Sequence, residues 1–190
     1  TIAAGTPAGA GYQIRVTSSS PAGEVVASGT LRVVVRATQT IALQKGWNLV
    51  SLGVRPADST IATLFAGLDL AEVKTQVAFW RAGQPGEFNS LRTLATATGY
   101  LVKMNAAGVL VVAGEVVALD LRGFQNLGGL SNGWQLIPAP SLAPVPFSDF
   151  FNAQNCTTIK SFDGFWQPAG GAMNSIGEME PGKGYFLIKN

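Results

Sequence analysis

The chain repeats itself, and nothing else in the sequence constrains its fold as strongly. The stretch "FNSLRTLATATGYLVKMN", 88–105, aligns without gaps to "MNSIGEMEPGKGYFLIKN", 173–190, at an offset of 85 residues. Asn89/Asn174, Ser90/Ser175, Gly99/Gly184, Tyr100/Tyr185 and Asn105/Asn190 are identical in the two copies. The FW pair Phe79-Trp80 recurs at Phe165-Trp166, 86 residues on, and the GW pair Gly46-Trp47 recurs at Gly133-Trp134, 87 residues on. Three anchors in one order at nearly constant spacing define a duplicated structural unit.

Both units read alike. A strand carries the GW pair, and a short helix follows. In the first unit Asp58 or Ser59 is placed to cap that helix, and Ile61, Leu64, Phe65 and Leu68 share one face. In the second, Pro146 suits a first helical turn, with Phe147, Phe150 and Phe151 apolar. A strand ending in the FW pair, a Gly/Pro turn and a strand opening with GY complete each unit. The expected class is mainly β: two diverged β-rich repeats, each with one short helix, in a pseudo-symmetric barrel or sandwich. An N-terminal β-hairpin precedes them. The expected segments are 1–38 for the hairpin, 39–117 for repeat 1 and 118–190 for repeat 2.

The hairpin is read from two alternating runs. Tyr12, Ile14 and Val16 alternate with polar residues, and Leu31, Val33 and Val35 do so after a Ser/Pro/Gly turn that includes Ser18–Ser20. A lone hairpin is unstable in water, so these strands need a partner. After its GY strand the first unit continues with "AAGVLVVAGEVV", expected to fold back as a hairpin, whereas the second copy has no such strand. "GTLRVVV" (29–35) resembles "GVLVVAG" (108–114). The early strand is therefore expected beside the final one, with Leu31, Val33 and Val35 meeting Tyr185 and Leu187 along a strand-pairing edge. Pairing within a chain closes the fold, and pairing between chains builds a filament.

Composition excludes most chemistry. Charged residues are 13% of the chain, about half the usual share. The net charge is +2 with no Lys/Arg cluster, so nucleic-acid binding is not expected. The apolar run Val109–Gly114 is far too short to cross a bilayer. The chain has no histidine and one cysteine, Cys156, which removes Ser-His-Asp triads and zinc sites built from those residues. Asp58, Asp69 and Glu72 lack a calcium-loop spacing. Glu178 and Glu180 are the closest carboxylate pair, and a solvated loop before Pro181 is the preferred reading over a glycosidase pair. Neither an enzyme, a metal nor a cofactor is expected.

The remaining candidates are aromatic, because indole and phenol rings stack on sugars. Trp47 and Trp134 recur at equivalent strand positions and share a face with Leu49 and Leu136, so both are expected in the core. Trp80 and Trp166 precede turns. Core leads for them too, and they are the residues a carbohydrate-binding alternative uses.

Gly46, Trp47, Asn48 and Leu49 with Gly99 and Tyr100, and Gly133, Trp134, Gln135 and Leu136 with Gly184 and Tyr185, resemble the GWNLIG/GWNLIS … GkGYwv repeats of secreted and surface-anchored bacterial proteins. Gln135 departs from that pattern, which has asparagine. The stretch from Ala4 to Val35 resembles the last two strands of immunoglobulin-like modules of bacterial surface proteins. The two resemblances imply an extracellular setting on a cell surface and carry no reaction. The expectation is a structural or adhesive component, with itself, a neighbouring surface protein or a glycan as partner. The chain opens at "TIAAGTPAG", which reads as a mature or cut end.

Overall fold

A computed structural model gives the fold. It describes residues 7, 9–12, 15–16, 26–27, 31–117, 133–139 and 141–190. Two compact units divide the chain, Thr1–Arg36 and Ala37–Asn190.

In the first unit β1 (Gly9–Tyr12), β2 (Arg15–Val16), β3 (Val26–Ala27) and β4 (Leu31–Val33) form two short antiparallel ladders, β1 with β4 and β2 with β3. Gly9 faces Val33 and Arg15 faces Ala27, with a register shift between Ala10 and Tyr12. Ile14 and Ser18–Ser20 lie outside the described residues, as do the side chains of Val16, Leu31 and Val33.

From Ala37 on, the second unit holds the rest of β5 (Arg36–Leu43), then β6 (Gly46–Ser51), β7 (Val54–Arg55), the helix α1 (Ile61–Leu64), β8 (Leu70–Lys74), β9 (Phe79–Arg81), β10 (Gly99–Met104) and β11 (Gly108–Val116). Repeat 2 supplies β12 (Gly133–Pro138), β13 (Val145–Pro146), β14 (Cys156–Lys160), β15 (Phe165–Trp166), β16 (Glu178–Met179) and β17 (Gly184–Lys189). The protein is mainly β, and the strand order of its two four-stranded sheets is duplicated. One sheet runs β6-β10-β8-β9 and the other β12-β17-β14-β15. Gly46 faces Met104 as Gly133 faces Lys189, and the ladder shifts register at the equivalent place, before Met104 and before Lys189.

The identical residues each have a local task. Gly46 and Gly133 adopt φ of +94° and +96°, a region costly for other residues, so each GW strand opens on glycine. The Asn89 side chain accepts from Arg81 N at 2.9 Å and Ser90 Oγ accepts from Phe79 N at 3.0 Å. Asn174 and Ser175 do the same for Gln167 N and Phe165 N, at 2.8 and 2.9 Å. The shared Asn-Ser pair thus pins the FW strand. Tyr100 and Tyr185 are buried, and each hydroxyl accepts from a loop amide, Ala95 N at 2.7 Å and Glu180 N at 2.8 Å.

Each repeat has its own core. Val50, Tyr100, Val102 and Met104 cluster with Ile41 and Leu43 of β5, Leu110 and Val112 of β11, and Ile61 and Phe65. In repeat 2, Phe147 sits 5.2 Å from Tyr185 edge-on and 5.6 Å from Trp166, among Ile137, Ile159 and Leu187. Ile61 N donates to Arg92 O and Phe147 N to Gly177 O, so the helix and its counterpart start alike. The counterpart is a short helix of one 3₁₀ turn, Phe147–Asp149, directly after Pro146, whereas the first is α-helical. Ser148, Asp149 and Phe150 are weaker helix formers than the Ala and Leu of α1. The cap position is corrected: Thr60, not Asp58 or Ser59, is the N-cap and makes no side-chain cap bond, while Asp58 lies ahead of it and accepts from Thr60 N and the Thr63 hydroxyl, both at 2.8 Å.

Two expectations about strand partners are corrected. β11 does not pair with β10. It lies between β5 and β7 in a separate three-stranded sheet, and Asn105–Ala107 carries the chain from one sheet to the other. The final strand β17 has no vacant edge, since β12 and β14 flank it, and Leu31 and Val33 pair with Tyr12 and Gly9 of β1.

The repeats meet back to back through their glycines. A β-carbon on Gly99 would fall 2.7 Å from the Ile137 carbonyl oxygen, and one on Gly184 would fall 3.1 Å from that of Val50. Buried Ser51 ties the junction by donating its N to Gly182 O at 2.8 Å and its hydroxyl to Lys183 O at 2.7 Å.

Candidate functional site

The GW strands put their tryptophans outside. Side chains alternate along β6, so Val50 enters the core while Trp47 and Leu49 share the opposite face. Leu49, at the end of the strand near the junction, is buried, whereas Trp47 at the other end is 37% exposed. Trp134 is 47% exposed on β12. Core placement of Trp47 and Trp134 is thus corrected: they share a face with Leu49 and Leu136, but only the leucine end of that face is covered.

Lysines decorate both rings. The Lys74 and Lys103 ammoniums lie 5.3 and 5.6 Å from the centre of Trp47, and that of Lys160 lies 5.5 Å from Trp134, which also meets Phe186 edge-on at 6.2 Å. Beside Trp47, Glu72 is buried under Lys74 at 3.1 Å and Arg81 at 3.0 Å. Burial opposes its ionisation, but hydrogen bonds and attraction from Lys74 and Arg81 outweigh that and hold the carboxyl below its ordinary value. Asn48 is committed to structure: its amide donates to Gln44 O and accepts from Gln44 N, both at 2.8 Å, which fixes the turn before Trp47.

The FW tryptophans behave differently from one another. Trp166 is 8% exposed within the second core and offers no ring face to a ligand. Trp80 is half-buried against the first core and lines a cleft of about 540 Å³ with Glu87, Asn89 and Arg92. Tyr185 and Leu187 are buried core residues on an enclosed strand, and Val35 is exposed outside any strand.

A second concavity had no signal in the sequence. A groove of about 350 Å³ lies between the Trp47 strand and the turn Ser161–Gly164 of repeat 2, lined by Trp47, Gln44, Phe162, Asp163 and Lys183. Phe162 is 58% exposed at the tip of that turn, which Ser161 N closes on Gly164 O. Lys183 pairs with Asp163 at 3.2 Å and Glu180 at 3.1 Å. Burial lowers its proton affinity, and the two carboxylates outweigh that and raise it. Only the folded chain joins Trp47 to Phe162, because one comes from each repeat.

Groups of nucleophilic or acid-base type are occupied elsewhere. Burial pushes the Cys156 thiol up to about 12, so it stays protonated. Glu180 is held by Lys183, and Glu178 lies exposed on β16 opposite Pro146. Among the described residues no three His, Cys, Asp or Glu side chains are grouped to hold a metal, and no helix is long and apolar enough to cross a membrane. Comparisons with protein-family models, curated proteins and solved structures give no match to this chain.

Proposed function

We propose that the chain is a non-enzymatic, extracellular component of a cell surface that adheres by holding glycan on outward-facing aromatic rings. The observation that carries this reading is the pair Trp47 and Trp134, exposed at equivalent positions of a duplicated unit. Full burial of a large apolar side chain is worth roughly 1.5–3 kcal/mol, and leaving an indole partly exposed at both copies forgoes some of it, which supports a role for the two rings at the surface. Repetition of a weak site raises avidity for a repeating polymer without any new contact. The extracellular setting rests on the resemblance of the GW and GY motifs to repeats of bacterial surface proteins. Strand addition beside β17 is not part of this reading, because β12 and β14 flank that strand.

Affinity electrophoresis of the full chain through gels containing polysaccharide tests the reading. Retardation by at least one polysaccharide, reduced in Trp47→Ala and Trp134→Ala, is expected. Free migration through every polysaccharide tried removes it.

A further inference from the structure

We propose that the groove between Trp47 and the Ser161–Gly164 turn is the primary glycan site, and that it takes a hexopyranose unit of a neutral polysaccharide. The proposal deepens the reading above and rests on it.

The two junction sides differ at several positions between the repeats, and one of them decides whether the side is bridged. Gln76 and Phe162 stand at equivalent positions, 86 residues apart. On one side Gln76 Nε2 donates to Trp134 O at 2.5 Å and bridges the turn of repeat 1 to the GW strand of repeat 2. Phe162 has no donor to make the reciprocal bond to the Trp47 strand, and there the groove is open. Duplication has thus left one side bridged and the other lined by two exposed aromatic residues, one from each repeat.

The groove matches a sugar in shape and in chemistry. Trp47 and Phe162 supply apolar surface for the C–H face of a pyranose. Gln44 and Asp163, both exposed, supply donor and acceptor groups for its hydroxyls, with Lys183 beside them. Charge selects a neutral unit. The two charged groups in its lining, Asp163 and Lys183, pair with each other at 3.2 Å, so the groove itself carries no net charge. Across the adjacent sheet Lys74 is tied to Glu72 and Lys103 lies over Trp47. An acidic sugar would have to displace Asp163 from Lys183, whereas a neutral one leaves that pair intact.

Calorimetric titration of the full chain tests this, with cellohexaose, mannohexaose and chitohexaose as neutral probes and hexagalacturonate as the acidic one. At least one neutral hexamer binds, Trp47→Ala and Phe162→Ala each weaken it about tenfold or more, and Phe162→Tyr retains it. Trp134→Ala changes the affinity for a single hexamer less than twofold. Preference for hexagalacturonate, or neutral binding that survives Phe162→Ala but not Trp134→Ala, overturns the groove while leaving the glycan reading intact. Failure of all four probes, with polysaccharide gels also negative, removes both. Phe162 is exposed, so a thermal melt of Phe162→Ala within about 2 °C of the parent shows that the loss is local.

Discussion

Gly99 of the first repeat lies against the backbone of Ile137 in the second, so close that a β-carbon would stand 2.7 Å from the Ile137 carbonyl oxygen. Gly184 repeats the contact in reverse on Val50, with 3.1 Å of room. The glycine of each GY motif is therefore one point at which the two repeats touch closely. Gly99→Ala is expected to destabilise the protein by about 1–3 kcal/mol, and Gly184→Ala by less, because the backbone there has more space. Gly177→Ala, where nothing lies within 4 Å, is the control and should be neutral within about 0.5 kcal/mol. Urea denaturation measures all three, and equal effects at Gly99 and Gly177 would contradict the junction.

Asn89 is the residue that most firmly holds an FW strand, being buried and bonded to Arg81 N. Replacing it with alanine leaves that amide without its acceptor and should cost about 1–3 kcal/mol. The half-buried Asn174 bonds Gln167 N in the same way, and its replacement should cost less. Amide hydrogen exchange at Arg81 should accelerate in Asn89→Ala, and unchanged protection would show that the strand needs no such pin.

Much of this was legible in the sequence, because the repeated letters perform local tasks. Asn-Ser pins a strand, tyrosine closes a loop, and glycine opens the GW strand with positive φ, so spacing alone exposed the duplication. Alternation also told correctly which residues share a face, Trp47 with Leu49. It could not tell which end of that face a second repeat covers, and this is why Trp47 and Trp134 were expected inside. Strand β5 gave a weak signal because Gln39, a buried polar residue, stands where an apolar one would mark the pattern. The periodicity of "GVLVVAG" predicts a strand without saying which sheet takes it, so β11 was expected beside β10. The groove joins residues more than 110 positions apart and has no linear signature at all.

Glu72 links pH to stability. Its folded pKa lies below the ordinary value of 4.5, so its contribution is present above that value and is lost as pH falls through the depressed one. The midpoint of urea unfolding should fall on acidification below about pH 4.5, and Glu72→Gln should flatten that slope while lowering stability at pH 7. An unchanged acid slope in Glu72→Gln would assign the dependence to other carboxylates.

Trp47 and Trp166 should differ in what they contribute to folding. Trp166→Ala removes a buried ring packed on Phe147 and should cost about 3–5 kcal/mol. Trp47→Ala removes an exposed one and should cost about 1 kcal/mol or less. Chemical denaturation of the two variants compares them, and a larger loss for Trp47→Ala would return that ring to the core.

The indole N–H resonances of the four tryptophans test the central claim most directly, because they report inside and outside in one spectrum. Titration of the full chain with a neutral hexasaccharide that binds should shift the Trp47 signal, leave that of Trp166 in place, and move that of Trp80 little. Shifts at Trp80 or Trp166 with Trp47 unmoved would contradict the account.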